Sequence, residues 1–448
     1  MSRGHTRIGL LEHVGYGNLG DDATVAAVLH NIKLRWPQAR VTGITLNPTD
    51  TERKHGIRSY AIRRECKTPP PPPSAGAATE VGLKNKLREI PVLGFLLRAV
   101  KAVVIRAPRA FVQESLFLVE SFRVTESLDL LIICGGGQLR DSAGGPYTFT
   151  YSIFKWVVLA KLTGTRCYFV NLGAGPLKTR SARFFLRGAL RLSDYTSFRD
   201  EKSSLLVRRS GFKGDARVHA DCVYSLALPE ETTSRRAPGS RSVVGVSPMR
   251  VYWDRNPQVY SHLIQELGKF SAWLARDEHD LHLFSTELPS DYEPIDDLKD
   301  AIIKEYADSP ITCPETESID RLLARMSSMD YVVTCRFHGV VFAHLMNIPV
   351  LAISHHSKVA TLMNDLGLSE YCLDVDTFDF DQLKETFTRL AANAAEVKQR
   401  MAERAAHYRR ELEFQFDSLF PQPDSHEHPR ELLPLEVSQA GKGMNTHG

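Results

Sequence analysis

The chain has 448 residues, of which 43% are hydrophobic and 24% are charged, and its formal net charge at pH 7 is +3. This length exceeds what one ordinary hydrophobic core serves, so we expect two domains. The balance of 56 basic and 53 acidic residues argues against a dedicated nucleic-acid binder. Seven cysteines without Cys-x-x-Cys spacing indicate neither a disulfide framework nor a zinc site. No apolar run suits a membrane span, and a cytoplasmic location is expected.

The first predicted unit is a strand, a glycine-rich turn and a helix. An apolar run at 8–11 precedes the turn Gly15-Tyr16-Gly17-Asn18-Leu19-Gly20-Asp21-Asp22. The turn is similar to a phosphate-binding loop, but its glycines match neither the dinucleotide fingerprint nor the P-loop. Asn18 and Asp21 place an amide and a carboxylate at the helix entrance. The alternative is that Asp21 or Asp22 only caps the helix.

A proline-rich and basic insertion is predicted over residues 68–125. Five consecutive prolines, 69–73, are typical of a stiff linker. Residues 84–109 then carry seven basic side chains and one acid, interleaved with apolar ones. This pattern over residues 82–112 is compatible with peripheral contact with an anionic membrane surface, although it favours the other interpretation. The alternative is a helix that covers the sheet and exposes a solvated basic face.

Glycine-rich segments follow two further predicted strands. The apolar run 129–134 has the character of a buried parallel strand and ends in Gly135-Gly136-Gly137. Consecutive glycines let the backbone approach a ligand and direct N–H groups at it. The next strand ends in Gly173-Ala174-Gly175-Pro176. Arg199 then ends a short strand, where the alternative is a surface ion pair with Asp200.

A second α/β unit is predicted beyond a polar bridge at residues 230–241. Its most informative part is the turn Arg336-Phe337-His338-Gly339, which lies between an apolar strand and a helix. In doubly wound sheets, ligands bind outside the carboxyl ends of the strands. Arg336 supplies a permanently charged fork for phosphate or carboxylate, and His338 supplies a proton near neutral pH. His338 could alternatively pack or cap the helix. We expect Lys358, after the next strand, to face the same crevice.

These elements predict an α/β protein with two Rossmann-like doubly wound domains. We place the first domain at residues 1–230 and the second at 242–380. One closing helix is expected over 381–420. The composition of residues 421–448 is typical of a disordered tail.

Taken in order, the strand-end motifs resemble those of the polysaccharide pyruvyl transferase family, over about residues 8–62 and 128–370. The resemblance rests on Asn18-Leu19-Gly20-Asp21, Gly135-Gly136-Gly137, Gly173-Ala174-Gly175-Pro176, Ser197-Phe198-Arg199-Asp200, Asp221, Arg336-Phe337-His338-Gly339 and Lys358. The chain has Phe337 where the family usually has leucine, and Cys222 where it commonly has proline. We interpret both as packing changes. The 68–125 insertion is outside the common core and leaves the acceptor and the cell location open.

The resemblance implies a GT-B-type fold with the site between the two domains. It also implies a transferase that moves pyruvate from phosphoenolpyruvate to a sugar diol, forms a pyruvate ketal and releases phosphate. Arg199, Arg336 and Lys358 would bind the donor. His338 would protonate the vinyl carbon, or would only donate to the phosphate. No cofactor or metal is needed if these cations neutralise the phosphate.

On the acceptor side, Asn18, Asp21 and the three glycines Gly135, Gly136 and Gly137 would hold the sugar, whether free or lipid-linked. Two other functions stay open on sequence grounds. One is a nucleotide-sugar-dependent GT-B glycosyltransferase, because fold does not fix chemistry. The other is a non-catalytic sugar-binding protein held at the inner face of the plasma membrane through residues 82–112.

Overall fold

A computed structural model describes residues 6–64, 107–141, 145, 147–228, 240–250, 257–313, 318–355 and 357–421. The predicted proline-rich linker, the basic segment up to residue 106, most of the bridge at 230–241 and the tail beyond residue 421 lie outside these residues. Within the described ranges, no helix is both long enough and apolar enough to cross a bilayer.

The first domain contains a parallel sheet flanked by helices. Its strands are β1 (Arg7–Leu11), β2 (Arg40–Thr45), β3 (Ser59–Ala61), β4 (Leu130–Cys134), β5 (Arg166–Leu172), β6 (Tyr195–Phe198) and β7 (Arg217–Val218). Its helices are α1 (Leu19–Arg35), α2 (Pro48–His55), α3 (Ala107–Glu126), α4 (Phe149–Leu162), α5 (Arg180–Arg191) and α6 (Glu201–Arg209). The strand order is β3-β2-β1-β4-β5-β6-β7, so the order reverses between β1 and β4.

The second domain repeats this plan. Its strands are β8 (Val243–Ser247), β9 (Asp280–Leu283), β10 (Ile311–Thr312), β11 (Tyr331–Thr334), β12 (Val350–Ser354) and β13 (Cys372–Asp374). Its helices are α7 (Pro257–Arg276), α8 (Tyr292–Glu305), α9 (Ile319–Met326), α10 (Phe337–Leu345) and α11 (Ser357–Asp365). The order β10-β9-β8-β11-β12-β13 reverses between β8 and β11. The predicted pair of doubly wound α/β domains is confirmed.

Apolar side chains on both faces explain why the central strands are buried. Every residue of β4 is inaccessible to solvent. Leu130 and Ile132 pack into a core that continues into the second domain, whereas Leu131 and Ile133 face a separate core on the other side of the sheet. The alternation follows from the two-residue period of a strand. A strand covered on both faces needs the continuous apolar run that the sequence shows.

The predicted closing helix at 381–420 is instead two helices, α12 (Phe380–Ala392) and α13 (Ala394–Leu419). The break lies at Asn393, a residue type that is disfavoured inside helices. Its side chain donates to the Tyr371 hydroxyl at 3.3 Å. Helix α13 then returns to the first domain, where Gln415 Nε2 donates to Asn171 Oδ1 at 2.7 Å. Arg35 of α1 pairs with Asp417 at 2.7 Å.

The glycine-rich turn after β1 contacts the second domain directly. The Leu19 N–H donates to the Thr286 carbonyl at 2.8 Å, and the Leu288 N–H donates to the Gly17 carbonyl at 2.9 Å. Gly17 has φ +80°, and a Cβ there would lie 1.5 Å from the Leu288 carbonyl oxygen. The turn therefore joins the two domains, and the carboxyl ends of the strands on either side of it face one cleft.

Candidate active site

A cavity of about 270 Å³ lies in this cleft, between the carboxyl ends of the two sheets. Seven of the nine predicted site residues line it: Asn18, Asp21, Gly137, Arg199, Arg336, His338 and Lys358. The other two, Gly135 and Gly136, precede Gly137 in the same turn. The topology explains this convergence, because all nine residues follow parallel strands whose carboxyl ends meet at the cleft.

His338 lies in the first turn of α10, packed against α1 of the other domain. A Cβ on Gly20 would fall 1.9 Å from His338 Nδ1, so only glycine at that position leaves room for the ring. His338 Nε2 is buried and has no hydrogen-bond partner among the described residues. Burial lowers the pKa of His338 to about 4, and the positive charges of Arg199, Lys358 and Arg336 add to the shift, whereas Asp221 opposes it. The imidazole is therefore uncharged at neutral pH.

Arg199 is held from two sides and is almost fully buried. Its side chain is 4% exposed, and Nη1 donates to Asp221 Oδ2 at 2.9 Å. The guanidinium lies over the Phe337 ring, 4.3 Å from its centroid. Phe337 therefore makes a cation–π contact that leucine could not provide, which adds an electrostatic role to the predicted packing change. Arg199 Nε also lies 3.8 Å from Asp200 Oδ2, but the arginine side chain is buried and its shorter contact is with Asp221, so the alternative of a surface ion pair is wrong.

Arg336 is engaged by two carboxylates that the sequence did not reveal. Its Nε donates to Asp291 Oδ2 at 3.0 Å, its Nη2 donates to the other Asp291 oxygen, and its Nη1 donates to Glu287. Burial alone would lower the pKa of Arg336, but the negative charges of Asp291 and Glu287 raise it overall. Burial raises the pKa of the Asp291 carboxyl, and Arg336 opposes that rise. The predicted donor contact of Arg336 stays a prediction, and it requires the ligand to compete with Glu287.

Lys358 and Arg140 add positive charge to the same cavity. Burial, together with the nearby charges of Arg199 and Arg140, lowers the pKa of Lys358 to about 8, while Asp200 and Asp21 oppose this shift. Lys358 Nζ lies 3.2 Å from where a Cβ on Gly137 would be. Arg140 was not predicted as a site residue, although it follows the triple glycine by three positions.

At the start of α1, Asn18 is the N-cap: its Oδ1 accepts from the N–H groups of Gly20 at 3.0 Å and Asp21 at 3.2 Å. The alternative of Asp21 or Asp22 as the cap is therefore wrong. Asp22 points elsewhere and pairs with Lys54 at 2.7 Å. Asp21 faces the cavity, which agrees with the predicted placement of its carboxylate, whereas its contact with an acceptor stays a prediction.

Glu12 and His13 were missed, although they directly follow β1 and the strand-end rule would have found them. Glu12 is 1% exposed, and its Oε2 accepts from the Cys134 thiol at 3.4 Å. His13 Nδ1 and Gln138 Oε1 are 2.7 Å apart. Burial lowers the pKa of His13 to about 3, with Arg63 and Arg140 adding and Gln138 opposing.

The turn of three glycines has a stricter backbone role than predicted. Gly135 and Gly136 have φ +48° and +62°, in the left-handed region that favours glycine. The Gly135 N–H donates to the Val170 carbonyl at 3.0 Å, and the Gly136 carbonyl accepts from the Gly173 N–H at 2.9 Å. The N–H of Gly135 is thus used within the domain.

A larger cavity of about 720 Å³ lies on the other side of Arg199, Phe337 and Lys358, which line both spaces. Its walls come from α6, α11 and α13, with carboxylates, guanidinium groups and Tyr408 interspersed. Among the described side chains, no group of three or more His, Cys, Asp and Glu residues is arranged to hold a metal ion.

Comparison with known proteins gives a family and a fold. The family model described as polysaccharide pyruvyl transferase matches residues 18–357. A candidate UDP-N-acetylglucosamine 2-epimerase from Listeria monocytogenes aligns over 93% of this chain and 97% of its own, with 11% identity and a TM-score of 0.57. UDP-GlcNAc 2-epimerase from Neisseria meningitidis, solved bound to UDP-GlcNAc, aligns over 89% and 94%, with 11% identity and a TM-score of 0.55. No curated protein matches the sequence. The two structures show the predicted GT-B-type fold.

Proposed function

Because the chain belongs to the polysaccharide pyruvyl transferase family, we propose that it transfers pyruvate from phosphoenolpyruvate to a hydroxyl pair of a saccharide. The products are a pyruvate ketal and phosphate. Family membership supports a transferase that modifies polysaccharides. The identity of the donor and the formation of a ketal go beyond family membership and are proposed here.

One observation carries the donor assignment. Arg199 and Lys358, from opposite domains, lie close enough in one cavity for the charge of Arg199 to lower the pKa of Lys358. Arg199 and Lys358 together also lower the pKa of His338. Buried positive charges that destabilise one another mark a place where a polyvalent anion is favoured. Phosphoenolpyruvate carries its phosphate on the carbon bonded to its carboxylate, which matches a compact cluster of cations.

The cavity also offers charge-assisted hydrogen bonds to the donor. A buried charge-assisted hydrogen bond to phosphate or carboxylate contributes about 1.5–3 kcal/mol. Arg199, whose Nε has no hydrogen-bond partner among the described residues, is placed to add such a bond. Its stacking on Phe337 fixes the plane of the guanidinium before the donor arrives, which reduces the entropy lost on binding.

The test is thermal unfolding of the purified protein with phosphoenolpyruvate, and separately with UDP and GDP. A ligand that binds only the folded state stabilises it by about 2.7 kcal/mol at a hundredfold excess over its Kd. We expect phosphoenolpyruvate to raise the Tm of the wild type and to have much less effect on Lys358→Met. Lys202→Met is the matched control, because Lys202 lies on the exposed face of α6 and does not line the 270 Å³ cavity.

A Tm rise with UDP or GDP alone would contradict the donor assignment and would support the nucleotide-sugar glycosyltransferase. An equal response of Lys358→Met and the wild type to phosphoenolpyruvate would place the donor elsewhere.

A further inference from the structure

Two carboxyl groups of the first domain converge on a single point beside the cavity. A Cβ on Gly136 would lie 2.8 Å from Glu12 Oε1 and 3.2 Å from Asp21 Oδ1. Because Gly136 also has φ +62°, glycine is required there on two counts. The turn after β4 thus leaves open the space that these two carboxyl oxygens share.

The surroundings of this pair favour its protonated form. Glu12 Oε1 is buried without a hydrogen-bond partner among the described residues, and no described cation forms an ion pair with Glu12 or Asp21. A buried carboxylate without a paired cation is costly, so such a group keeps its proton. Burial raises the pKa of Asp21 to about 7, with Glu287 and Asp22 adding and Arg199 and Arg140 opposing. Burial, followed by the charge of Asp21, raises the pKa of Glu12 well above its usual value.

Across the cavity, the environment of His338 favours the deprotonated, neutral imidazole. Its pKa is lowered to about 4 and its Nε2 is unpartnered within the described structure. Two titratable groups whose environments move their pKa values apart indicate which is the acid and which is the base. Asp21 lines the cavity and Glu12 does not. Asp21 also lies in the first turn of α1, where the helix dipole stabilises the carboxylate that remains after proton transfer.

Building on the proposed function, we propose that Asp21, backed by Glu12, is the general acid that protonates the methylene carbon of the donor, and that His338 is the base for the first attacking hydroxyl. This reverses the role that the sequence alone favoured for His338.

The proton transfers balance over one turnover. The Asp21 O–H bond breaks as the π electrons of the donor form a C–H bond at the methylene carbon, which leaves the central carbon electrophilic. The first sugar hydroxyl adds to that carbon and loses its proton to His338 Nε2. His338 returns the proton to the phosphate oxygen as the bond between carbon and that oxygen breaks. The second hydroxyl closes the ketal, and its proton restores Asp21.

The experiment compares the wild type with Asp21→Asn, which keeps the size of the side chain but cannot supply the acidic proton. The matched control is Asp22→Asn, in the same helical turn but paired with Lys54 outside the cavity. Phosphate release from phosphoenolpyruvate is measured with a panel of methyl hexosides as acceptors. The donor-dependent rise in Tm is measured in parallel, and infrared spectra follow the C=O stretch of protonated carboxyl groups near neutral pH.

We expect Asp21→Asn to lower the rate of phosphate release about 10²–10⁴-fold, to keep the donor-dependent Tm rise, and to lose part of the infrared band. Asp22→Asn removes only the smallest of the charges that raise the pKa of Asp21, so it should change none of the three to a comparable degree. A wild-type rate in Asp21→Asn, or an unchanged band, would overturn this inference while leaving the proposed function intact. A wild type whose Tm does not respond to phosphoenolpyruvate would overturn the proposed function, and this inference with it.

Discussion

The carboxyl groups on the two sides of the cleft differ in whether a cation is paired with them. On the first-domain side, Glu12 is buried and Asp21 is half-buried, and neither has an ion-pair partner among the described residues. On the second-domain side, Asp291 is fully buried, yet both of its oxygens accept from Arg336. Glu12 and Asp291 are thus buried to a similar depth, and only Asp291 has a cation paired with it. Arg336 opposes the rise in pKa that burial causes at Asp291, whereas no paired cation opposes the rise at Glu12 or Asp21.

The largest expected effect comes from removing the partner on the second-domain side. Asp291→Ala leaves Arg336 partly buried with only Glu287 to compensate it, and breaking such a pair costs about 3–5 kcal/mol. Asp21→Asn removes no ion pair and should not destabilise the protein at pH 7. Urea unfolding followed by tryptophan fluorescence measures both changes.

A double variant, Asp291→Ala with Arg336→Met, provides the control. It should recover part of the lost stability, because no buried guanidinium is left without its main partner. If Asp291→Ala unfolds at the same urea concentration as the wild type, the contrast between the two sides is wrong.

The pH dependence of stability sharpens the same contrast. The pKa of Asp21 in the folded protein is about 7, above its ordinary value of 3.8, so the folded state holds this proton where the unfolded chain has lost it. The stabilising contribution is full below about pH 4 and is lost as the pH rises to about 7, at up to about 1.4 kcal/mol per pH unit. Relative to the wild type, Asp21→Asn should therefore gain stability across this window. A Tm difference that does not change between pH 4.5 and 7.5 would contradict the protonated state of Asp21.

A smaller loss of stability is expected from a change that tests how closely α1 packs against the His338 ring. Gly20→Ala places a methyl group where the His338 ring lies, and overpacking of this kind costs about 1–3 kcal/mol. Gly56→Ala is the control, since a Cβ there meets open space and its positive φ, which Gly20 lacks, adds backbone strain without any contact with His338. In NMR spectra, the His338 ring signals should shift in Gly20→Ala and stay unchanged in Gly56→Ala. Unshifted His338 signals in Gly20→Ala would show that the ring is not held against α1.

The smallest effect concerns the donor affinity. Because the pKa of Lys358 is about 8 in the empty site, its positive charge is lost above that pH. The Kd for phosphoenolpyruvate should then increase, at most about tenfold per pH unit, as isothermal titration calorimetry between pH 7 and 9.5 would detect. Lys358→Arg should remove most of this dependence, since arginine stays charged. Equal pH dependence in both proteins would assign the titration to another group.

The fold and the residues at the carboxyl ends of the strands were predictable for a physical reason. Runs such as 129–134 are apolar on both faces, which identifies buried parallel strands, and the carboxyl ends of parallel strands must lie at one edge. The residues after those strands therefore meet, as Arg199, His338 and Lys358 do.

The partners of these residues were harder to predict. Asp291 and Glu287 come from the segment between β9 and α8, whose sequence has no strand-end signal, and their role depends on where Arg336 lies in space. The contact of Phe337 with Arg199 joins two domains, so neither local sequence indicates it. Protonation states depend on such pairings, which explains why the sequence alone assigned the acid to His338.

The return of α13 to the first domain has a consequence for fragment complementation. Gln415 and Asn171 are 244 residues apart in sequence, yet their side chains are hydrogen-bonded in a buried position. A chain cut between residues 228 and 240 would therefore give two pieces that each lack part of their native surroundings. Phe416 and Leu412 of the second piece belong to the core that the first piece shares. We expect the two pieces to be poorly soluble when produced separately and to associate when produced together.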